Sequence, residues 1–172
     1  LYVLVNYRLM TGRLTYETKV DELLGKLADI PSTADEFDFI HGWCGAVTVL
    51  VNLYQLEQRE TLLPLIERFS QSIQSAVTLE DGVLLLKNTG KPLWTGFSHG
   101  ISGVLYALGK VWDVTRDPLL AQLIAQYVRA ENRLTVEGYW LDLRENARSS
   151  STIKWCHGDA GILIARRWLI RT

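Results

Sequence analysis

Apolar residues recur along the chain in two alternating rhythms. In the first, a short stretch is apolar almost without interruption. Ala46 to Leu56 and Val104 to Trp112 leave few polar positions on any side, which predicts helices buried on most faces. In the second, apolar residues return every three or four positions. Leu62, Ile66, Phe69, Ile73 and Val77 form one such stripe. Leu120, Leu123, Ile124, Tyr127 and Val128 form another, with Glu131 leaving it. Leu14 to Ile30 carries a third through Tyr16, Val20, Leu23, Leu24 and Leu27. These stripes predict amphipathic helices with one face to the core and one to water. Asp117-Pro118 reads as an N-cap followed by a first-turn proline, and Thr61 is a cap candidate for the preceding amphipathic helix. Pro31 to Asp35 reads as a loop. Glu80-Asp81-Gly82 and Asn88-Thr89-Gly90 bracket Val83 to Leu86 and predict a short strand or hairpin there. The long polar connection from Asn132 to Lys154 is expected to be a functional loop.

A fixed period organises these elements. The three histidines, His41, His99 and His157, stand 58 residues apart (41 to 99, 99 to 157), and each is followed by glycine. The agreement extends to His41-Gly42-Trp43-Cys44-Gly45, His99-Gly100-Ile101-Ser102-Gly103 and His157-Gly158-Asp159-Ala160-Gly161. An apolar run follows each. One supersecondary unit therefore repeats, an apolar helix and then an amphipathic one. Such alternation predicts an all-α fold, an α/α toroid with small β or loop excursions. The apolar helices form the inner ring and the amphipathic ones the outer ring. The first glycine of each motif is expected to supply tight or positive-φ geometry, and the second to allow close packing of neighbouring helices. Inner helices of a toroid aim their N-termini at one mouth. The histidines, Asp38, Cys44 and Cys156 are therefore expected to gather there, which makes the mouth the candidate site.

Composition narrows the classes. The chain is 48% hydrophobic and 22% charged with a formal net charge of −1, which fits one folded unit with a sizeable core. No basic stripe suggests nucleic acid, and no apolar run is long enough to span a membrane. Two cysteines far apart in sequence give no disulfide framework and fit a reducing, cytoplasmic setting. Leu1 opens an apolar run already under way, and Gly161 to Thr172 has no stop signal, so residues 1–172 are expected to be one partial domain cut at both ends. Cys156 beside His157 offers a thiolate and an imidazole, both suited to zinc; an inert buried cysteine is the alternative. His99 suits either proton transfer or a hydrogen-bonded structural role.

The motifs together resemble a known family. Lys154-Trp155-Cys156-His157-Gly158-Asp159-Ala160-Gly161-Ile162, with Ala165-Arg166 after it, is similar to the W-C-H-G-x-x-G-I…A-R motif of the lanthionine synthetase C-like family. It is most similar to the cyclase domain of class II, bifunctional lanthipeptide synthetases. Gly96 to Gly103 resembles the family's G-x-x-H-G-x-x-G motif, and Asp38 to Gly45 its D-x-x-x-G-x-x-G motif. Trp140-Leu141-Asp142-Leu143-Arg144 resembles the W-x-D-L-R segment of bifunctional members.

The resemblance implies a bacterial cytoplasmic enzyme of lanthipeptide (lantibiotic) biosynthesis. It would close thioether rings by adding peptide cysteine thiols to dehydroalanine or dehydrobutyrine. Its partners would be the precursor peptide and a dehydratase domain of the same parent chain. It implies one zinc ion with Cys156 as its first ligand and the remaining Cys-His ligands beyond Thr172, so that the fragment alone would be inactive. It also implies catalytic roles for His99, as the proton handler, and Asp38, as its assistant, with His157 beside the metal rather than on it. His41 and Cys44 occupy positions where the family carries small residues. Asp142 and Arg144 read as a pair that pins the long loop. The alternatives are a non-catalytic relative that binds a peptide or thiol, or a toroid carbohydrate enzyme using Asp38 and Asp159.

Overall fold

The computed structural model describes residues 1–31, 36–144 and 153–171. Among them are seven α-helices: α1 (Tyr2–Thr11), α2 (Glu17–Asp29), α3 (Trp43–Glu57), α4 (Leu63–Ala76), α5 (Ile101–Thr115), α6 (Pro118–Asn132) and α7 (Asp159–Arg171). Two small antiparallel hairpins interrupt them, β1 (Val77–Glu80) with β2 (Val83–Leu86), and β3 (Thr135–Val136) with β4 (Tyr139–Trp140). Residues 32–35, most of the expected loop after α2, and residues 145–152 of the long connection lie outside the described residues.

The period is visible in the helices themselves. The inner helices α3, α5 and α7 start at Trp43, Ile101 and Asp159, each 58 residues after the last. They pack side by side in that order, with α4 laid against α3 and α6 against α5. The result is an arc of an α/α toroid, inner helices within and amphipathic helices outside. The near-continuous apolar runs explain the inner layer: Val47, Leu50, Val51 and Leu53 of α3 and Leu105, Ala107 and Leu108 of α5 are buried. On α4 the stripe Ile66, Phe69 and Ile73 is buried, and the face between is wet.

Both inner helices stop in the same way. Gln58 and Arg116, one period apart, take left-handed φ of 53° and 54°, and their amides donate to Tyr54 and Trp112 carbonyls. Asp117 caps α6 by accepting from the Leu119 amide, with Pro118 in the first turn, as the sequence predicts. Thr61 caps nothing. It lies in a 3₁₀ turn (Glu60–Leu62), and Leu62 holds the N-cap position of α4 without a side-chain bond. Val77, read as the end of a helical stripe, is instead the first residue of β1. The β1–β2 turn places Asp81 and Gly82 at φ of 49° and 82°, the conformation favoured for a two-residue hairpin. Glu137 and Gly138 do the same between β3 and β4, at φ of 53° and 85°.

Residues one period apart touch. Gln55 Nε2 donates to Asp113 Oδ2 at 2.8 Å, and Lys110 Nζ donates to Asn52 Oδ1 at 2.8 Å. The ring of Phe97 packs on Phe39 at 4.6 Å and on Trp155 at 5.5 Å. Parallel helices in contact at equivalent positions stand at the same height, so their N-termini share one mouth.

One expectation is overturned. Glu131 does not leave the core face of α6; it is fully buried. Its carboxylate accepts from Arg166 of α7 (2.7 and 3.1 Å) and from the Ser102 hydroxyl of α5. Burial pushes its carboxyl up, and Arg166 and Ser102 pull it back. The ion pair ties an outer helix to two inner ones. Arg166→Met should leave this carboxylate without its cation and cost about 3–5 kcal/mol in urea unfolding. Glu131→Leu combined with Arg166→Met should recover most of that loss.

Candidate functional site

Three loops form the mouth: residues 36–42, 94–100 and 153–158. Each feeds an inner helix, and each hydrogen-bonds to the next. The Phe39 amide donates to the Ser98 carbonyl at 3.0 Å, and the Phe97 and Ser98 amides donate to the Cys156 carbonyl at 3.1 and 2.9 Å. This relay sets side by side the loops that carry Asp38, His99 and Cys156, from positions more than 50 residues apart.

The first motif glycines serve the tight, close-approach geometry that the sequence suggests, but without positive φ. Gly42 and Gly100 are extended, with φ of −127° and −132°, not left-handed. A Cβ on either would run into backbone carbonyls of its own loop, Glu36 for the one and Trp94 for the other. The second motif glycines, Gly45, Gly103 and Gly161, each admit the carbonyl six residues earlier, in addition to any helix packing. Gly96 does need positive φ, at 97°, and a Cβ there would lie 2.5 Å from the Cα of His157.

Asp38 is built into its loop. Its Oδ1 accepts from the Ile40 and His41 amides at 2.8 and 2.6 Å, an Asx turn that fixes the carboxylate. Its Oδ2 lies 3.0 Å from His99 Nδ1. Burial raises the Asp38 carboxyl, but the amide bonds and His99 outweigh it and hold the group below its ordinary range. An ionised Asp38 assigns the proton to His99 Nδ1 and leaves Nε2 as the atom able to exchange one. His41 lies beside this pair, its ring parallel to that of His99 within 10° at 6.1 Å.

Cys156 Sγ lies 2.7 Å from His157 Nδ1. The His157 imidazole is pulled down by burial and by the Arg144 guanidinium. Asp142, almost fully buried, accepts from Arg144 Nε at 2.9 and 3.1 Å, while Thr95 bonds the neighbouring Leu141 carbonyl. The Asp142–Arg144 pair thus closes on itself, and the Thr95 bond ties this segment to the mouth. Cys44 does not join the mouth. It is fully buried at the start of α3, and desolvation raises its thiol well above the ordinary value.

The family model for lanthionine synthetase C-like protein matches residues 2–170. The chain belongs to this family. A relative in Lactococcus lactis subsp. lactis, the lacticin 481/lactococcin biosynthesis protein LcnDR2, is 27% identical over 134 residues. That match covers 77% of this chain and 13% of the relative, so the chain spans a small part of the length of the curated protein it resembles. No helix among the described residues is long and apolar enough to cross a membrane.

The family implies zinc, and the donor chemistry of the mouth fits part of a zinc site. Cys156 is its accessible thiol. His157 Nδ1 stands against the Cys156 sulfur, so this imidazole is placed beside the candidate ligand. A zinc with an open substrate position takes three protein ligands. Cys156 fits one of those positions.

Gly96→Ala should destabilise the fold by more than about 1 kcal/mol and speed hydrogen exchange at the Phe97 and Ser98 amides. A depressed carboxyl contributes stability above its unfolded value and loses it as pH falls through the folded one. The Asp38 loop should therefore hold at pH 5 and loosen below about pH 4. A carbon-13 NMR titration should place the Asp38 midpoint below that of a free aspartate and move it upward in His99→Ala.

Proposed function

We propose that this chain is part of the cyclase domain of a bifunctional lanthipeptide synthetase. That enzyme closes thioether rings in a precursor peptide dehydrated by another domain of the same protein. The observation that carries this reading is the loop relay, which sets the backbone of an accessible cysteine in hydrogen bonds with the residue preceding His99. Family membership and the lantibiotic-biosynthesis relative support the same reading.

In this reading Cys156 is one zinc ligand. Zinc, when bound, supplies a Lewis acid that stabilises a substrate thiolate, since a free thiol with pKa near 8.5 is mostly protonated at neutral pH. Addition of the thiol to the β-carbon of a dehydroamino acid places negative charge on the adjacent carbonyl as an enolate. The α-carbon must then take a proton. His99 takes the thiol's proton on Nε2 and returns it to the α-carbon, and Asp38 orients the ring through Nδ1. His157 bonds to Cys156 and orients its sulfur, a supporting role of the kind that fixes metal ligands. The exposed rim formed by Ile40, Trp94 and Trp155 offers apolar surface to a peptide. Asp38 faces an imidazole rather than a second carboxylate, which disfavours a carbohydrate enzyme.

In the complete enzyme, His99→Ala should retain its zinc and slow cyclisation by about 10²–10⁴-fold. Cys156→Ala should lose zinc together with activity. Metal analysis alongside a ring-closure assay by mass spectrometry separates the two. Zinc lost from the His99 variant would count against the assignment.

A further inference from the structure

His41 is the residue at the mouth that ring closure leaves without a task. It is exposed, and it stands one period before His99 with its ring parallel to that ring. Asp38, His41 and His99 each offer one ligand atom, and those atoms lie within 4.8 Å of one another. Ligand atoms of a four-coordinate ion the size of zinc stand about 3.3 Å apart. Closing the gap takes a shift on the order of 1 Å, shared between two exposed imidazoles that turn about their own side-chain bonds. The carboxylate is already set for such an ion. Two loop amides hold Oδ1, so Oδ2 is presented towards the His99 ring, and its depressed pKa keeps it anionic.

We propose that Asp38, His41 and His99 form a divalent transition-metal site, separate from the Cys156 thiol. Two imidazoles and one carboxylate suit cobalt, nickel, copper or zinc rather than magnesium or calcium, whose preferred ligands are oxygens. Binding draws His99 away from its hydrogen bond to Asp38. A filled site then removes His99 from proton transfer, so metal in excess of that held at Cys156 inhibits ring closure. This consequence, unlike the binding itself, rests on the cyclase reading.

The test is a cobalt(II) titration of the complete protein with zinc already held at Cys156, followed by visible absorption. The expected result is a saturable ligand-field band without sulfur-to-cobalt charge transfer, retained in Cys156→Ser. In His41→Ala its apparent affinity should fall by more than about tenfold, since losing even an outer partner of a metal ligand costs that much. The side chain is exposed, and an unchanged circular dichroism spectrum would confirm that the variant folds. A band unaffected by His41→Ala, a band lost in Cys156→Ser, or no saturable band would overturn the site. Cobalt bound as expected but without slower cyclisation leaves the metal site standing and removes His99 from catalysis.

Discussion

The structure depends on one constraint: equivalent residues of successive repeats must meet at the same height. Backbone hydrogen bonds from Phe39 to Ser98, and from Phe97 and Ser98 to Cys156, enforce it at the mouth. Gln55 with Asp113 and Lys110 with Asn52 enforce it further along the helices. The aromatic column Phe39–Phe97–Trp155 adds about 1 kcal/mol per ring pair beyond its burial. Backbone can pass this close to backbone only where no Cβ intervenes. The motif glycines let each loop fold tightly onto its own helix, Gly96 admits the backbone of the next loop, and the site inherits its geometry from them.

Polar groups are divided between two environments. Within the arc they are closed on one another. Glu131 is enclosed by Arg166 and Ser102, and Lys110 lies over the Trp168 ring at 4.1 Å while bonding Asn52. Desolvation of such groups is costly, so each one specifies which helices may be neighbours. At the mouth the polar groups stay accessible: His99 is 45% exposed and its partner Asp38 is 24% exposed. That exposure lets protons and ligands exchange there, while the burial behind it keeps the loops in place.

Much of this was legible in the sequence, because a period leaves a trace at every equivalent position. The 58-residue spacing gave the repeated units, the alternation of apolar and amphipathic helices gave the two layers, and Asp117-Pro118 and Asp81-Gly82 gave a cap and a turn. Less was legible where a residue's role depends on a distant partner. Glu131 reads as a polar interruption until Arg166, 35 residues on, is seen to meet it. Gly42 and Gly100 read as positions of tight or positive-φ geometry, and the carbonyls they accommodate show which. Glu137-Gly138 turns a hairpin whose strands are two residues each, too short to show an alternating pattern.

The three histidines show how a repeat diversifies. They occupy one position of one motif, on loops of the same design, yet their neighbours differ. His99 meets the Asp38 carboxylate of the preceding loop. His157 meets the thiol of the residue before it. His41 meets the flat face of His99. A carboxylate on one side orients one imidazole, a thiol stands against another, and the third lies beside a parallel ring. The chemistry of each ring is therefore set by the group the fold brings against it, and equal spacing in sequence does not make the three histidines equivalent.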